Sequence, residues 1–315
     1  MCLSVLAGDC FVLLSGQVSP FIRPQLMRLW LLLASLSHLA SATQAAMKGV
    51  ALVTGATDGI GQLTASLLSR EGFTLLLHGR SHDRLQSTCD RILKETPSAV
   101  LESFCYDISS ISATKALAED VISRHSRLDI VVQNAGVFMK DLVITSDGME
   151  KTFATNVAAP YVLSSMLMPL LLTTPQSRML MVSSISQSDG GGRMDLQNLQ
   201  MEKGFDCYRS YGQSKLYMAM MAQELAERYS PEECLVMSCD PGTVNTKMLL
   251  SGWGRCGINV SDATDEFHLV KSYDAGRHGG YFVGCRESRS CADAYDREKR
   301  SALLAALHRL TGCSW

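Results

Sequence analysis

From residue 49 onward the chain alternates short apolar runs with longer stretches in which apolar positions recur every three or four residues. Four to six consecutive apolar residues suit strands buried on both faces, while the longer period suits helices that bury one stripe. The expected strands are Val50 to Thr54, Thr74 to His78, Leu101 to Cys105, Ile130 to Gln133, Met179 to Ser183, Leu235 to Cys239 and Gly280 to Val283. Between them lie amphipathic stretches such as Gln62 to Arg70, Ser112 to His125 and Ser214 to Tyr229, long enough to cross over and cover a sheet. This alternation predicts an α/β fold: a doubly wound, seven-stranded parallel sheet in a single domain over residues 48–315, preceded by an apolar extension.

The extension, residues 1–47, is rich in Ser and Leu and holds Arg23, Arg28 and one acid, Asp9. Leu29 to Ala46 carries no charged residue apart from His38, and its 18 residues fall just short of the roughly 20 that span a bilayer. Three readings stay open: a membrane or signal anchor, a cleaved targeting segment with small residues Ala40 and Ala42 near its end, and an untargeted extension. Location stays open with them, membrane-associated or organellar on the first two and cytoplasmic on the third.

Of the 315 residues 46% are hydrophobic and 19% charged, which suits a globular core. The net charge of −2, without a basic run, points away from nucleic acid and toward a small-molecule partner. Eleven cysteines without a CxxC pair read as reduced thiols, most of them small core residues. The seven histidines form no HExxH or Cys/His cluster, so no metal is expected.

The first strand runs into Thr54, Gly55, Ala56, Thr57, Asp58, Gly59, Ile60 and Gly61, and a helix follows at once. Glycines allow a tight turn, let the backbone approach a pyrophosphate without a Cβ in the way, and aim the helix N-terminus at phosphate charge. A P-loop lysine is missing, which argues against a nucleotide hydrolase or kinase. The second strand ends at His78 and Gly79, and Arg80 follows where sites specific for NAD usually hold an acid. Arg80 would meet a 2′-phosphate with charge-assisted hydrogen bonds, favouring NADP(H), while Asp83 leaves NAD(H) open.

Four separated motifs resemble those of the short-chain dehydrogenase/reductase family over residues 49 to about 290. They are the TGxxxGIG turn at Thr54–Gly61, NAG at Asn134, Ala135 and Gly136, YxxxK at Tyr211–Lys215, and a PG turn at Pro241 and Gly242. The resemblance implies a Rossmann fold and hydride transfer between the cofactor and a carbonyl or alcohol. It implies cofactor contacts from these motifs, from Val244, and from Asp107 beside the adenine. It also implies Asn156 as the helix asparagine of a proton relay and Ser184 as the catalytic serine, with Ser183 the alternative. The family's usual NNAG appears here as Gln133 and NAG.

The chemistry explains these residue types. Tyr211 would exchange a proton with the substrate oxygen, yet a free phenol titrates near 10. Lys215 lies four residues on, on the same helical face, where its charge is expected to favour phenolate. Tyr208 and Tyr217 have Gly212 and Met221 at that position, so of these three neighbouring tyrosines only Tyr211 has the lysine. Ser184 would hydrogen-bond the substrate oxygen, and Asn156 would position a water for the relay.

Ser188 to Tyr208 is a polar, glycine-rich insertion between Ser184 and Tyr211, similar to one in retinol dehydrogenase-like and WW-domain oxidoreductase-like members. Val244 to Asp265 is expected to form a substrate lid, with Met248, Leu249, Leu250, Trp253 and Ile258 as an apolar lining. The leading reading is an NADP(H)-dependent oxidoreductase for a lipophilic carbonyl or alcohol, with self-association left open. The alternative is a catalytically silent NADP(H)-sensing protein of the same fold, which would have no need of the Asn156, Ser184, Tyr211 and Lys215 set.

Overall fold

The computed structural model describes residues 48–189 and 191–315; the expectations placed on residues 1–47 lie outside them. Strand β1 (Gly49–Val53) leads through α1 (Gly59–Arg70) to β2 (Phe73–Gly79), and α2 (His82–Glu95) leads to β3 (Leu101–Cys105). Helix α3 (Ile111–Arg124) then carries the chain back across β1 to β4 (Ile130–Gln133). Helix α4 (Lys151–Leu172), β5 (Arg178–Val182), α5 (Cys207–Arg228) and β6 (Leu235–Asp240) continue outward, followed by short α6 (Lys247–Gly252) and α7 (Asp265–Val270). Strands β7 (Tyr281–Val283) and β8 (Arg286–Ser288) and helix α8 (Arg297–Thr311) complete the domain.

The sheet order is β3-β2-β1-β4-β5-β6-β7-β8. Seven strands run parallel as expected, but an eighth is added, because β7 pairs antiparallel with β8 through Gly284 and Cys285. Gly284 supplies the positive φ, 61°, that such a two-residue hairpin requires. Alternation along the strands sends side chains to two cores. Val50, Leu52, Val131 and Met181 pack with α3, α4, α5 and α8, while Ala51, Val53, Val132 and Leu180 pack with α1, α2 and α7. Helix α4 is apolar around most of its circumference because it lies inside the first of these layers.

The crossover reverses at β1 and β4, so the C-terminal ends of these strands open onto a crevice of the kind that receives ligands in doubly wound sheets. The cysteines depart from expectation: of nine described, only Cys89, Cys234 and Cys239 are buried. The others sit in loops and at element ends, where nothing forces a small residue inward.

Candidate active site

A cleft of about 840 Å³ lies over the ends of β1, β4, β5 and β6. Its phosphate end is the turn between β1 and α1. Gly55 and Gly59 hold positive φ, 68° and 57°, which a side chain would resist. Gly61 is needed for space, since a Cβ there would meet Asn134 Nδ2 at 2.2 Å and the Gly55 carbonyl oxygen at 2.7 Å. Asp58 caps α1 by accepting the Gly59 N–H at 2.9 Å. It also pairs with Arg84 and Lys247, each at 2.9 Å. Burial raises the Asp58 carboxyl, but the Lys247 hydrogen bond, the Gly59 N–H and the Arg84 charge outweigh it and hold the group below its ordinary value.

The turn is fixed from behind. His78 Nδ1 accepts the Gly55 N–H at 3.3 Å, and Nε2 lies 3.0 Å from the Tyr106 carbonyl oxygen, an arrangement that requires the hydrogen on Nε2. Burial pushes this imidazole down to about 4, against the Tyr106 carbonyl and the Asp107 charge, so it is neutral near pH 7. Asn134 Nδ2 donates to the Thr54 carbonyl at 2.8 Å, and the Ala135 N–H donates to Thr54 Oγ1 at 3.0 Å.

Arg80 and Asp107 follow β2 and β3 directly, exposed on the cleft. Burial raises the Asp107 carboxyl, but hydrogen bonds from Ser109 and the charges of Arg80 and Lys151 bring it below its ordinary value. Arg84, one turn into α2, joins Arg80 on the cleft and donates to the Thr57 carbonyl at 3.3 Å. Asp83, the acid that left NAD open, is exposed on α2 and not part of the lining.

At the other end Ser184, Tyr211 and Lys215 converge. Both serines after β5 touch the cleft, but Ser183 is 1% exposed and donates its hydroxyl to the Lys215 carbonyl at 2.7 Å. Ser184 Oγ accepts the Ser186 N–H at 3.2 Å and hydrogen-bonds Tyr211. Lys215 Nζ lies 5.5 Å from the centre of the Tyr211 ring and donates to the Val182 carbonyl at 2.9 Å. The expected lowering of the phenol is not what this arrangement produces. Burial, the Asp240 carboxylate and, more weakly, Asp189 push Tyr211 up against the Ser184 hydrogen bond. Burial also drives Lys215 down to about 8, against the charges of Glu266, Cys239 and Asp240, which weakens the cation expected to do the lowering.

Asn156 sits behind these groups in a π-helical turn of α4, Ala154–Ala158. Its Oδ1 accepts the Val137 N–H at 2.8 Å, and its Nδ2 donates to the Val137 carbonyl and to Ser214 Oγ, both at 3.0 Å. Both amide donors are thus used, while Oδ1 keeps a second lone pair, with which the expected water contact is compatible. Thr155 lines the cleft beside it and has a buried Oγ1 without a partner among the described residues.

Thr54, Gly61 and Asn156 thus support the lining from behind, while the other expected site residues, including Pro241, Gly242 and Val244, form it. The lid is partly as expected. Met248, Leu249 and Trp253 line the cleft, but Leu250 and Ile258 are 41% and 48% exposed and lie outside it, since a short helix can turn only one side inward. Of the insertion, only Asp189 among the described residues reaches the cleft. Tyr208 backs the cleft wall, 5.3 Å from the rings of Phe138 and Trp253, while other parts dock elsewhere, as where the Met194 N–H donates to Asp293 at 2.8 Å. Sequence reasoning did not single out His78, Arg84, Lys247, Phe138 or Asp240. Phe138 packs at 4.7 Å from Trp253 and 5.9 Å from Tyr211, closing an aromatic wall over the phenol.

Comparison with known proteins agrees with this geometry. Residues 49–252 match the short chain dehydrogenase family. An uncharacterized oxidoreductase of Emericella nidulans is 36% identical over 62% of this chain and 70% of its own. Mouse retinol dehydrogenase 13 is 30% identical over 83% of each chain. The structure of a short chain dehydrogenase from Shigella flexneri 2a in complex with NADP is 25% identical, with a TM-score of 0.61, covering 76% of this chain and 98% of that one.

Proposed function

We propose, since the chain belongs to the short chain dehydrogenase family and is an oxidoreductase of CH–OH and C=O groups, that it uses NADP(H) on a small lipophilic carbonyl or alcohol with Tyr211 as acid and base. The observation that carries this reading is the convergence of Ser184, Tyr211 and Lys215 at one end of a cleft whose other end is a glycine turn flanked by Arg80 and Arg84.

The residues present fit the cofactor. The Gly55 and Gly59 positions leave room for a pyrophosphate, and the opening N–H groups of α1 face charge of that sign. Arg80 and Arg84 would hold a 2′-phosphate, and the NADP bound to the Shigella relative supports that preference. A bound nicotinamide would supply or accept the hydride.

The chain's own residues handle the proton. Ser184 would hold the substrate oxygen beside the phenol, where its hydroxyl stabilises developing charge. Tyr211 would give that oxygen a proton in reduction and remove one in oxidation. Lys215 would steady the phenolate and bond the ribose, and Asn156, which holds Val137 and Ser214 in place, would position a water for the proton relay. The apolar wall of Phe138, Met248, Leu249 and Trp253 favours a lipophilic substrate, as does the retinol dehydrogenase relative. Such a substrate also suits membrane attachment through residues 1–47.

Fluorescence titration of the full-length chain with NADPH and NADH, followed by turnover on a panel of lipophilic aldehydes and ketones, tests the reading. Preference for NADPH with turnover supports it. Tight NADPH binding without turnover on any member would instead support the silent sensor, and equal affinity for NADH would remove the arginines from the cofactor argument.

A further inference from the structure

Asp240 is the last residue of β6, 3% exposed, on the cleft beside Tyr211 and Lys215. A carboxylate is costly to bury without partners, and this one has two backbone donors. The Gly242 N–H reaches Oδ1 at 3.0 Å, and the Ile185 N–H hydrogen-bonds the same carboxyl. Asp240 therefore ties the turn after β6 to the segment that begins with Ser184.

Resting on the reading of Tyr211 as acid and base, we propose that Asp240 is a positioning residue for proton transfer that sets the pH range over which Tyr211 exchanges its proton with substrate. Its carboxylate holds the Ser184 wall against the Gly242 turn and opposes negative charge on the phenol oxygen. The groups facing that oxygen come from several elements. Lys215 lies on α5 itself, Ser184 follows β5, Asp189 lies in the loop beyond it, and Asp240 ends β6. Glu266 on α7 and Cys239 on β6 act on Lys215.

Two carboxylates on this side keep the phenol protonated, the form needed to donate. In reduction the carbonyl carbon takes a hydride from NADPH and the carbonyl oxygen takes the Tyr211 proton, giving an alcohol and NADP⁺; solvent then restores the phenol proton. Oxidation runs these steps in reverse on the same site, so Asp240 moves the pH profiles of both directions together.

The test is a tyrosine ¹³Cζ NMR titration of the full-length protein, with the Tyr211 resonance assigned by its loss in Tyr211→Phe, run beside pH profiles of alcohol oxidation. Asp240→Asn and Asp240→Ser each remove the charge. In either, Tyr211 should ionise about one pH unit lower, since like charges at close range shift ionisation by that order, and the rising limb of oxidation should move the same way. An unmoved Tyr211 titration in both would overturn the proposal, as would failure of both to fold, which would make Asp240 purely structural. The parent reading is tested separately: if Tyr211→Phe keeps turnover, Tyr211 is not the acid and base, whatever Asp240 does.

Discussion

Lowering the pH should unfasten the phosphate turn through His78, and the size of the effect can be worked out. The imidazole is neutral because burial drives it from its ordinary 6.5 to about 4. On unfolding it returns to the ordinary value, so between the two the unfolded chain binds the extra proton and stability falls with pH. The contribution is complete above about pH 6.5 and disappears as pH drops toward about 4. The full gap at about 1.4 kcal/mol per tenfold is roughly 3 kcal/mol, and most of it should be gone at pH 4.5. Urea unfolding of wild type and His78→Gln at several pH values isolates this term, because the other titrating groups are common to both proteins. The wild type should lose roughly 2 to 3 kcal/mol more than the variant between pH 7.5 and 4.5. Parallel pH dependence, within about 0.5 kcal/mol, would refute the reasoning. NADPH affinity should fall only as pH drops through about 4, where His78 of the folded protein takes up its proton and can no longer accept the Gly55 N–H.

Three further outcomes are expected. Tyr211→Phe should lower turnover by about 10²- to 10⁴-fold and leave NADPH affinity within about threefold, read by steady-state kinetics and fluorescence titration; equal loss of both would place Tyr211 in binding. Arg80→Ala and Arg84→Ala should each weaken NADPH by about tenfold or more, as loss of a hydrogen bond to a charged group costs about 1.5–3 kcal/mol, with NADH binding nearly unchanged. Gly61→Ala should cost at least about 1–3 kcal/mol in stability, seen in urea unfolding, because its Cβ would press on Asn134 Nδ2 and the Gly55 carbonyl; an unchanged midpoint would show that the turn yields.

The central parallel strands were legible because they are buried on both faces and therefore largely apolar, as in Leu52, Val131 and Val236. Strand β8 was not: Arg286, Glu287 and Ser288 are all exposed on the sheet edge, so burial imposed no pattern. The candidate trio was legible because four motifs fall in the right order, and because of the three tyrosines on α5 only Tyr211 has a lysine four residues on. His78 and Asp240 were written in the sequence, one near the end of β2 and the other preceding Pro241, but their meaning depends on burial and on partners 23 residues away in one case and after the neighbouring strand in the other. The direction of the Tyr211 shift was misread for the same reason. Spacing shows Lys215 within reach but not the burial and carboxylate that outweigh it. Leu250 and Ile258 were over-read because apolar composition does not say which side of a short helix or loop faces inward.

The most direct test of the central claim is deuterium transfer from NADPH labelled at the nicotinamide C4 to a lipophilic aldehyde, comparing wild type with Tyr211→Phe in the full-length protein. The account predicts label on the carbinol carbon of the alcohol in wild type and little or none formed by the variant, although it binds NADPH. Equal labelled product from both would contradict it, since hydride transfer would then proceed without the Tyr211 proton.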